Sequence, residues 1–160
     1  MIIELGSGVA DITQTIPGCI RTDLFPNPWI DQVENAYTLS FKDRSVRAII
    51  LFDVFHHLRF PGAALKDFWR VLEPGGRLII FEPGMSLLGR LIYGPIHPEP
   101  LGFQDSITWS APESWNPEDL DYYAAQGNAH RIFVKNEIDL AQQVALIDQM
   151  IASRVEPFRT

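Results

Sequence analysis

The stretch "IIELGSGVADI", residues 2–12, reads as an apolar strand running into a glycine-rich turn. Gly6, Ser7 and Gly8 let the backbone pass close to a ligand, because a side chain at either glycine would fill the space the ligand needs. A turn built for a dinucleotide pyrophosphate wants a third glycine three residues after Gly8, where this chain has Asp11. That carboxylate would stand in the first turn of the next helix and compete with phosphate for the helix amides. Glu4, at the end of the strand, points the same way and suits a ligand that carries positive charge. The fragment alone is equally compatible with an ordinary strand-to-helix turn in which Asp11 only serves the helix dipole.

Composition narrows the surroundings of this turn. The chain has 160 residues, about one domain, with 13 Lys and Arg against 20 Asp and Glu and a formal charge of −7. That balance argues against nucleic acid as the main partner, since such binders present a basic face. The single Cys19 has no partner for an internal disulfide, and no basic segment leads into an apolar leader-like run, so a reducing, cytoplasmic setting is expected. No apolar run approaches the length of a membrane span.

Outward from the turn, two kinds of sequence alternate. From Met1 to about Pro83, short apolar runs are separated by turn signals, and the strongest are continuously apolar, as buried parallel strands are. Strands are expected at Ile2–Leu5, Cys19–Leu24, about Asn35–Leu39, Val46–Val54 and Arg77–Glu82. Between the last two, Ala64, Leu65, Phe68, Trp69, Val71 and Leu72 make one face of a helix that Pro61 opens and Pro74, Gly75 and Gly76 close. Strand, helix and strand joined by tight loops form a right-handed crossover of a parallel sheet. The expected fold is therefore α/β, a Rossmann-like, mostly parallel sheet flanked by helices. We divide the single domain into a core at 1–83, an irregular proline-interrupted region at 84–136 that suits a lid or acceptor site, and a C-terminal helix and strand at 137–160. In the middle region "HRIFVK" reads as a short edge strand, and "RVEPFRT" reads as a strand at the end.

Asp23 follows Glu4 by nineteen residues and closes the second strand, where a carboxylate can accept both hydroxyls of a ribose. In order along the chain stand "ELGSG" at Glu4–Gly8, Asp23, "LSF" at Leu39–Phe41, "DVFHHL" at Asp53–Leu58 and "LEPGGRL" at Leu72–Leu78. This series resembles the ordered motifs of class I S-adenosylmethionine-dependent methyltransferases, in particular the broad small-molecule methyltransferase-domain group. The resemblance covers about residues 2–83. It implies S-adenosylmethionine as cofactor: Gly6, Ser7 and Gly8 beneath its methionine part, Glu4 near its ammonium, and Asp23 on the ribose hydroxyls. It further implies Leu24 against the adenine, Asn35 and Ala36 along the adenine edge, and Phe52 and Asp53 lining the methionine end. The chain departs from the pattern in four places. Ala10 stands for a third glycine, Ser40 stands for a proline, the helices after the first two strands are cut short, and the helices the family carries before its first strand are missing. An N-terminally shortened chain is the expectation, and apolar surface left exposed would favour a homo-oligomer.

The resemblance implies methyl transfer to a small-molecule acceptor. The alternative is a shortened, non-catalytic protein that keeps the fold as a binding module. Methyl transfer is an in-line displacement at a sulfonium, so positioning dominates and a base is needed only for an acceptor that must lose a proton. Candidates are His56, His57, Glu82, Tyr93 and His97, with His57 first. The spacing of His56, His57, His97 and His130 matches no zinc site, so no metal is expected. Trp109, Trp115, Tyr122 and Tyr123 would either wall an apolar acceptor pocket or form a satellite core under a long loop.

Overall fold

Two runs without polar alternation, Ile2–Leu5 (β1) and Val46–Phe52 (β4), pair in parallel at the centre of the molecule, with Ile3 opposite Ile49 and Leu5 opposite Leu51. The computed structural model describes residues 1–86, 89–91, 94, 98–119 and 122–152. On one side of the central pair lie β2 (Cys19–Asp23) and β3 (Gln32–Val33), and on the other lies β5 (Leu72–Phe81). The order is β3-β2-β1-β4-β5 and every pairing is parallel. The sheet is accompanied by α1 (Pro61–Val71), α2 (Asn128–Phe133) and α3 (Leu140–Ala152).

Alternation along the strands decides what is buried. Ile3, Leu5, Ile49 and Leu51 point to one face, where they meet Ala64, Phe68 and Val71 of α1 and Ala129 and Ile132 of α2. Each of these large side chains, fully removed from water, contributes about 1.5–3 kcal/mol. On the opposite face Phe52 stacks on Phe81 with ring centroids 4.4 Å apart, and both stay half exposed. Pro61 stands at the first position of α1, where its fixed φ and missing N–H cost nothing. At the other end Leu72 turns extended and β5 begins at once. A register shift opposite Val46–Ala48 absorbs the Pro74–Gly76 corner, with Gly75 at φ +80°.

Several sequence expectations are corrected. Asn35–Leu39 is not a strand, because side chains capture its backbone first. Asn35 Oδ1 accepts the Tyr37 amide at 3.0 Å, Leu39 N–H donates to Asp67 Oδ2 at 2.7 Å, and Arg70 donates to the Leu39 and Phe41 carbonyls. The ladder at this edge is the two residues Gln32–Val33 instead. The helix expected after the glycine turn is one 3-10 turn, Ile12–Gln14, with Asp11 accepting from the Thr13 amide. The "HRIFVK" segment is not an edge strand: it runs into α2, where Arg131 is buried and donates to the Gly102 and Asp105 carbonyls and pairs with Glu137. The expected strand at "RVEPFRT" lies outside the described residues.

Cys19, in register with Ile2, is buried, and burial together with the nearby charges of Glu4 and Asp31 pushes its thiol up to about 11. At pH 8 the folded chain should therefore react with iodoacetamide on the order of a hundredfold more slowly than the urea-unfolded chain. Equal rates followed by mass spectrometry would mean that the first two strands do not hold this residue as described.

Candidate functional site

From β1 the sheet grows through β2 on one side and through β4 on the other, so a crevice opens beyond the carboxyl ends of these strands. Gly6 leaves β1 at φ +70°, and a Cβ there would lie 2.5 Å from Val54 Cγ2, so no larger residue fits this turn. The turn is tied down on both sides. Ser7 N–H donates to the Thr22 carbonyl and its hydroxyl to Glu4 Oε2, at 2.9 and 2.6 Å, while Gly8 N–H donates to Asp23 Oδ2 at 2.9 Å.

The crevice is a cleft of about 500 Å³. Of the residues expected at a site, Gly6, Asp23, Leu24, Asn35, Ala36, Asp53 and His57 line it. Glu4, Ser7, Gly8 and Phe52 are not on its walls: Glu4 is 3% exposed beneath the turn, and Phe52 faces Phe81. Four carboxylates, Asp23, Glu34, Asp53 and Asp119, border the cleft against one guanidinium, Arg59, so its field is negative. A separate cavity of about 790 Å³ lies along α1, between Asp67, Arg70 and Gly75, and holds none of the expected site residues.

The far wall comes from the middle region. Trp115 packs edge-on against Tyr37 and Phe60, with centroids 4.8 and 4.9 Å apart, and together with Pro117, Tyr122 and Tyr123 it borders the cleft. Asn35 Nδ2 donates to the Pro117 carbonyl at 2.9 Å, joining this wall to the core. Trp109 behaves differently. It packs on the main core, and its indole occupies the space a Cβ at Gly62 would need. The four aromatics thus divide between the cleft wall and the core.

The turn after β4 carries the remaining chemistry. Asp53 adopts φ +57°, a left-handed conformation that Asp tolerates better than most residues. Glu82, leaving β5, accepts the Val54 and Phe55 amides with Oε1 and meets His56 Nδ1 with Oε2 at 2.7 Å. Glu82 is therefore committed to the turn, which removes it from the candidate bases. Tyr93 and His97 lie outside the described residues. His56 is 1% exposed, and its Nε2 stands 3.3 Å from Glu99 Oε2 and 3.1 Å from Gln126 Nε2. Burial works against its charge, but the hydrogen bond and charge of Glu82, with Asp53 and Glu99, hold its pKa above the ordinary value. His57 is one-third exposed and bonds Tyr123 O through Nδ1 at 2.9 Å. Since the carbonyl only accepts, Nδ1 carries a proton, and in the neutral ring the lone pair is on Nε2. Glu99 Oε1 lies 3.7 Å from that nitrogen and accepts from the Tyr122 hydroxyl. Burial raises the Glu99 carboxyl, but hydrogen bonds from Tyr122 and Gln126 and the two histidines lower it more. Sequence reasoning missed Glu99 and Gln126, which reach the histidines from 43 and 70 residues away with no spacing signal.

A parallel sheet with this strand order, flanked by helices, is an α/β, Rossmann-like fold. Residues 9–80 match the family model described as "Methyltransferase domain", and the fold agrees with a class I methyltransferase domain over that span. A solved S-adenosylmethionine-dependent methyltransferase of Methanosarcina mazei is 19% identical, with a TM-score of 0.50 over 84% of this chain and 77% of that one. The trans-methyltransferase CalH, solved with S-adenosylhomocysteine, is 17% identical, with a TM-score of 0.50 over 67% of this chain and 38% of its own. The protein PH0226 of Pyrococcus horikoshii is 24% identical, with a TM-score of 0.48 over 57% and 53%. The chain spans less than half the length of several other solved structures that it matches. No protein of curated function matches it by sequence.

Removing the Glu82 carboxylate leaves two amides and a buried imidazole without their acceptor. Glu82→Ala should cost about 3 kcal/mol in urea unfolding, and Glu82→Gln, which keeps one acceptor oxygen, clearly less. If the two variants unfold together with the parent chain, the clamp contributes nothing to the fold.

Proposed function

We propose that this chain binds S-adenosylmethionine in the cleft beyond β1, β2 and β4 and transfers its methyl group to a small-molecule acceptor. The observation that carries the reading is the pairing of the Gly6 turn with a net negative cleft at the switch point. The cofactor is a cation at its sulfonium and at its ammonium, so a wall of carboxylates favours it and disfavours a dinucleotide. The residues present fit the group. Gly6 leaves backbone surface where a side chain would stand, and Asp23 retains lone pairs for ribose hydroxyls beyond those used by the Gly8 and Phe25 amides. Leu24 and Ala36 would hold the adenine, with Asn35 at its edge, and Asp53 would face the methionine end.

When bound, the cofactor supplies an electrophilic methyl group on sulfur. The chain supplies alignment and exclusion of water: Trp115, Pro117, Tyr122 and Tyr123 would close over the reacting atoms, and the acceptor would enter on the side of His57. For an acceptor that must lose a proton, His57 Nε2 would take it, and the Glu99 carboxylate would stabilise the imidazolium that results. Glu4 and Ser7 act indirectly in this reading, by fixing the turn from below. No described helix is long and apolar enough to cross a membrane.

Calorimetric titration of S-adenosylmethionine and S-adenosylhomocysteine should give micromolar affinity, about −8 kcal/mol. Asp23→Ala should weaken it by at least about tenfold, since it removes a charge-assisted acceptor. Gly6→Ala should abolish it, because both the backbone and Val54 oppose the new methyl. Folded chain that binds neither compound would leave the non-catalytic binding module as the better reading. In an acceptor screen, His57→Gln should retain cofactor affinity and lower turnover about 10²- to 10⁴-fold for acceptors that ionise on methylation. Unchanged turnover would remove His57 from proton transfer.

A further inference from the structure

His56, His57 and Glu99 converge at one edge of the cleft, with Gln126 packed beside them. Each histidine has its Nδ1 committed behind it, His56 to the Glu82 carboxylate at 2.7 Å and His57 to the Tyr123 carbonyl at 2.9 Å. An acceptor behind Nδ1 puts a proton on that nitrogen, so when the ring is neutral its lone pair is on Nε2. Both Nε2 atoms face one carboxylate. His56 Nε2 lies 3.3 Å from Glu99 Oε2, His57 Nε2 lies 3.7 Å from Glu99 Oε1, and the three ligand atoms all fall within 4.8 Å of one another. With both rings neutral, a cation among these atoms would meet two imidazole lone pairs and a carboxylate.

We propose that His56, His57 and Glu99 form a binding site for one first-row divalent cation of the Zn²⁺ or Co²⁺ type, at the edge of the cofactor cleft; with the ion bound, His57 Nε2 is a ligand and no longer available as a base. The histidines approach different Glu99 oxygens, at 3.3 and 3.7 Å, and one ligand atom from each residue lies within 4.8 Å of the others. Donors about 2.0–2.1 Å from a tetrahedral centre stand about 3.3–3.4 Å apart, so an ion would have to draw the three ligands together. Imidazole nitrogen with one carboxylate selects this class over Mg²⁺ or Ca²⁺, which prefer oxygen alone. The groups behind the ligands follow the pattern of bound metal sites, in which a ligating histidine donates its other N–H to a carboxylate or to a backbone carbonyl. Here both versions occur side by side.

Gln126 gives an independent indication. Its side chain is 1% exposed, yet its Oε1 has no hydrogen-bond partner among the described residues, while its Nε2 points at His56 Nε2 and at Glu99 Oε2. Rotating this amide by half a turn would bring Oε1 toward the same point as the three ligands and make it a fourth donor. A buried carbonyl oxygen left unpartnered is costly, and a cation at this point would relieve it. The competing arrangement has His56 doubly protonated between Glu82 and Glu99, with no ion. It satisfies both histidines but leaves Gln126 Oε1 unpartnered. Glu99 belongs to a segment remote in sequence, so the histidine spacings alone give no sign of the site.

The test is to titrate Zn²⁺, and separately Co²⁺, into tag-free, chelator-stripped chain, following heat and the visible d–d absorption of Co²⁺. One equivalent should bind with tetrahedral-type Co²⁺ absorption and raise the melting temperature. His57→Ala, at a partly exposed position, and the isosteric Glu99→Gln should each weaken binding by at least about tenfold while leaving the circular dichroism spectrum unchanged. Absence of binding to folded parent chain overturns the proposal and favours the doubly protonated His56. Binding of equal strength in both variants also overturns it, since the ion would then sit elsewhere. Because no cofactor is used, the result stands apart from that of the S-adenosylmethionine titration.

Discussion

The carboxylate of Glu82 is the constraint on which the site depends. One oxygen takes the Val54 and Phe55 amides and the other takes His56, so a side chain from the end of β5 dictates how the chain leaves β4. At 7% side-chain exposure it is nearly out of water, where such bonds are stronger and their loss is more costly than at the surface. Consequences propagate from there. Val54 is held against Gly6, which forces the turn after β1 to be glycine, and Asp53 is driven to φ +57° at the cleft mouth. His56 is pinned inward and His57 is presented outward. A single acid thus sets the distance between the two turns that flank the switch point.

A second acid performs a similar task under β1. Glu4 is buried, and the Ser7 hydroxyl satisfies it at 2.6 Å, so the glycine turn is braced from below and not only by its own backbone. Thr22 adds a bond to the Glu4 carbonyl at 2.8 Å, and Asp23 holds Gly8 from the neighbouring strand. The turn therefore has little freedom left to lose when a ligand arrives. Pre-organisation of this kind improves affinity by avoiding an ordering cost, with no need for extra contacts.

The legible part of the sequence was the part in which local pattern and tertiary environment agree. Ile2–Leu5 and the run beginning at Val46 are apolar on both faces because they are central parallel strands, and α1 shows its stripe because one side packs on the sheet. The resemblance named Gly6, Asp23, Leu24, Asn35, Ala36 and Asp53, which line the cleft, together with Glu4, Ser7, Gly8 and Phe52, which do not. Errors arose where a side chain from far away captured backbone that propensity alone would pair in a sheet. Asp67 and Arg70 did this at Leu39, and the buried guanidinium of Arg131 did it by organising α2 where an edge strand was expected. Glu99 and Gln126 were invisible for a related reason. Their role comes from loop geometry that brings the 98–126 stretch over the end of the sheet, and no periodic signal encodes such an approach.

That stretch links the two ends of the cleft. Pro117 is bonded to Asn35 at one end, Tyr123 to His57 at the other, and the Ala125 amide to the His56 carbonyl at 3.1 Å. Most of these ties are hydrogen bonds to backbone, each contributing about 1 kcal/mol net because water replaces them when they open. Trp109 is the apolar anchor, lodged on Gly62 and the core, while Trp115 shares its rings with Tyr37 and Phe60. A wall anchored by the partly buried Trp109 and otherwise held by exchangeable polar bonds opens at its Tyr122–Tyr123 end at lower cost than at its Trp109 end. The cleft therefore opens most readily beside His57, while the Asn35 end stays covered.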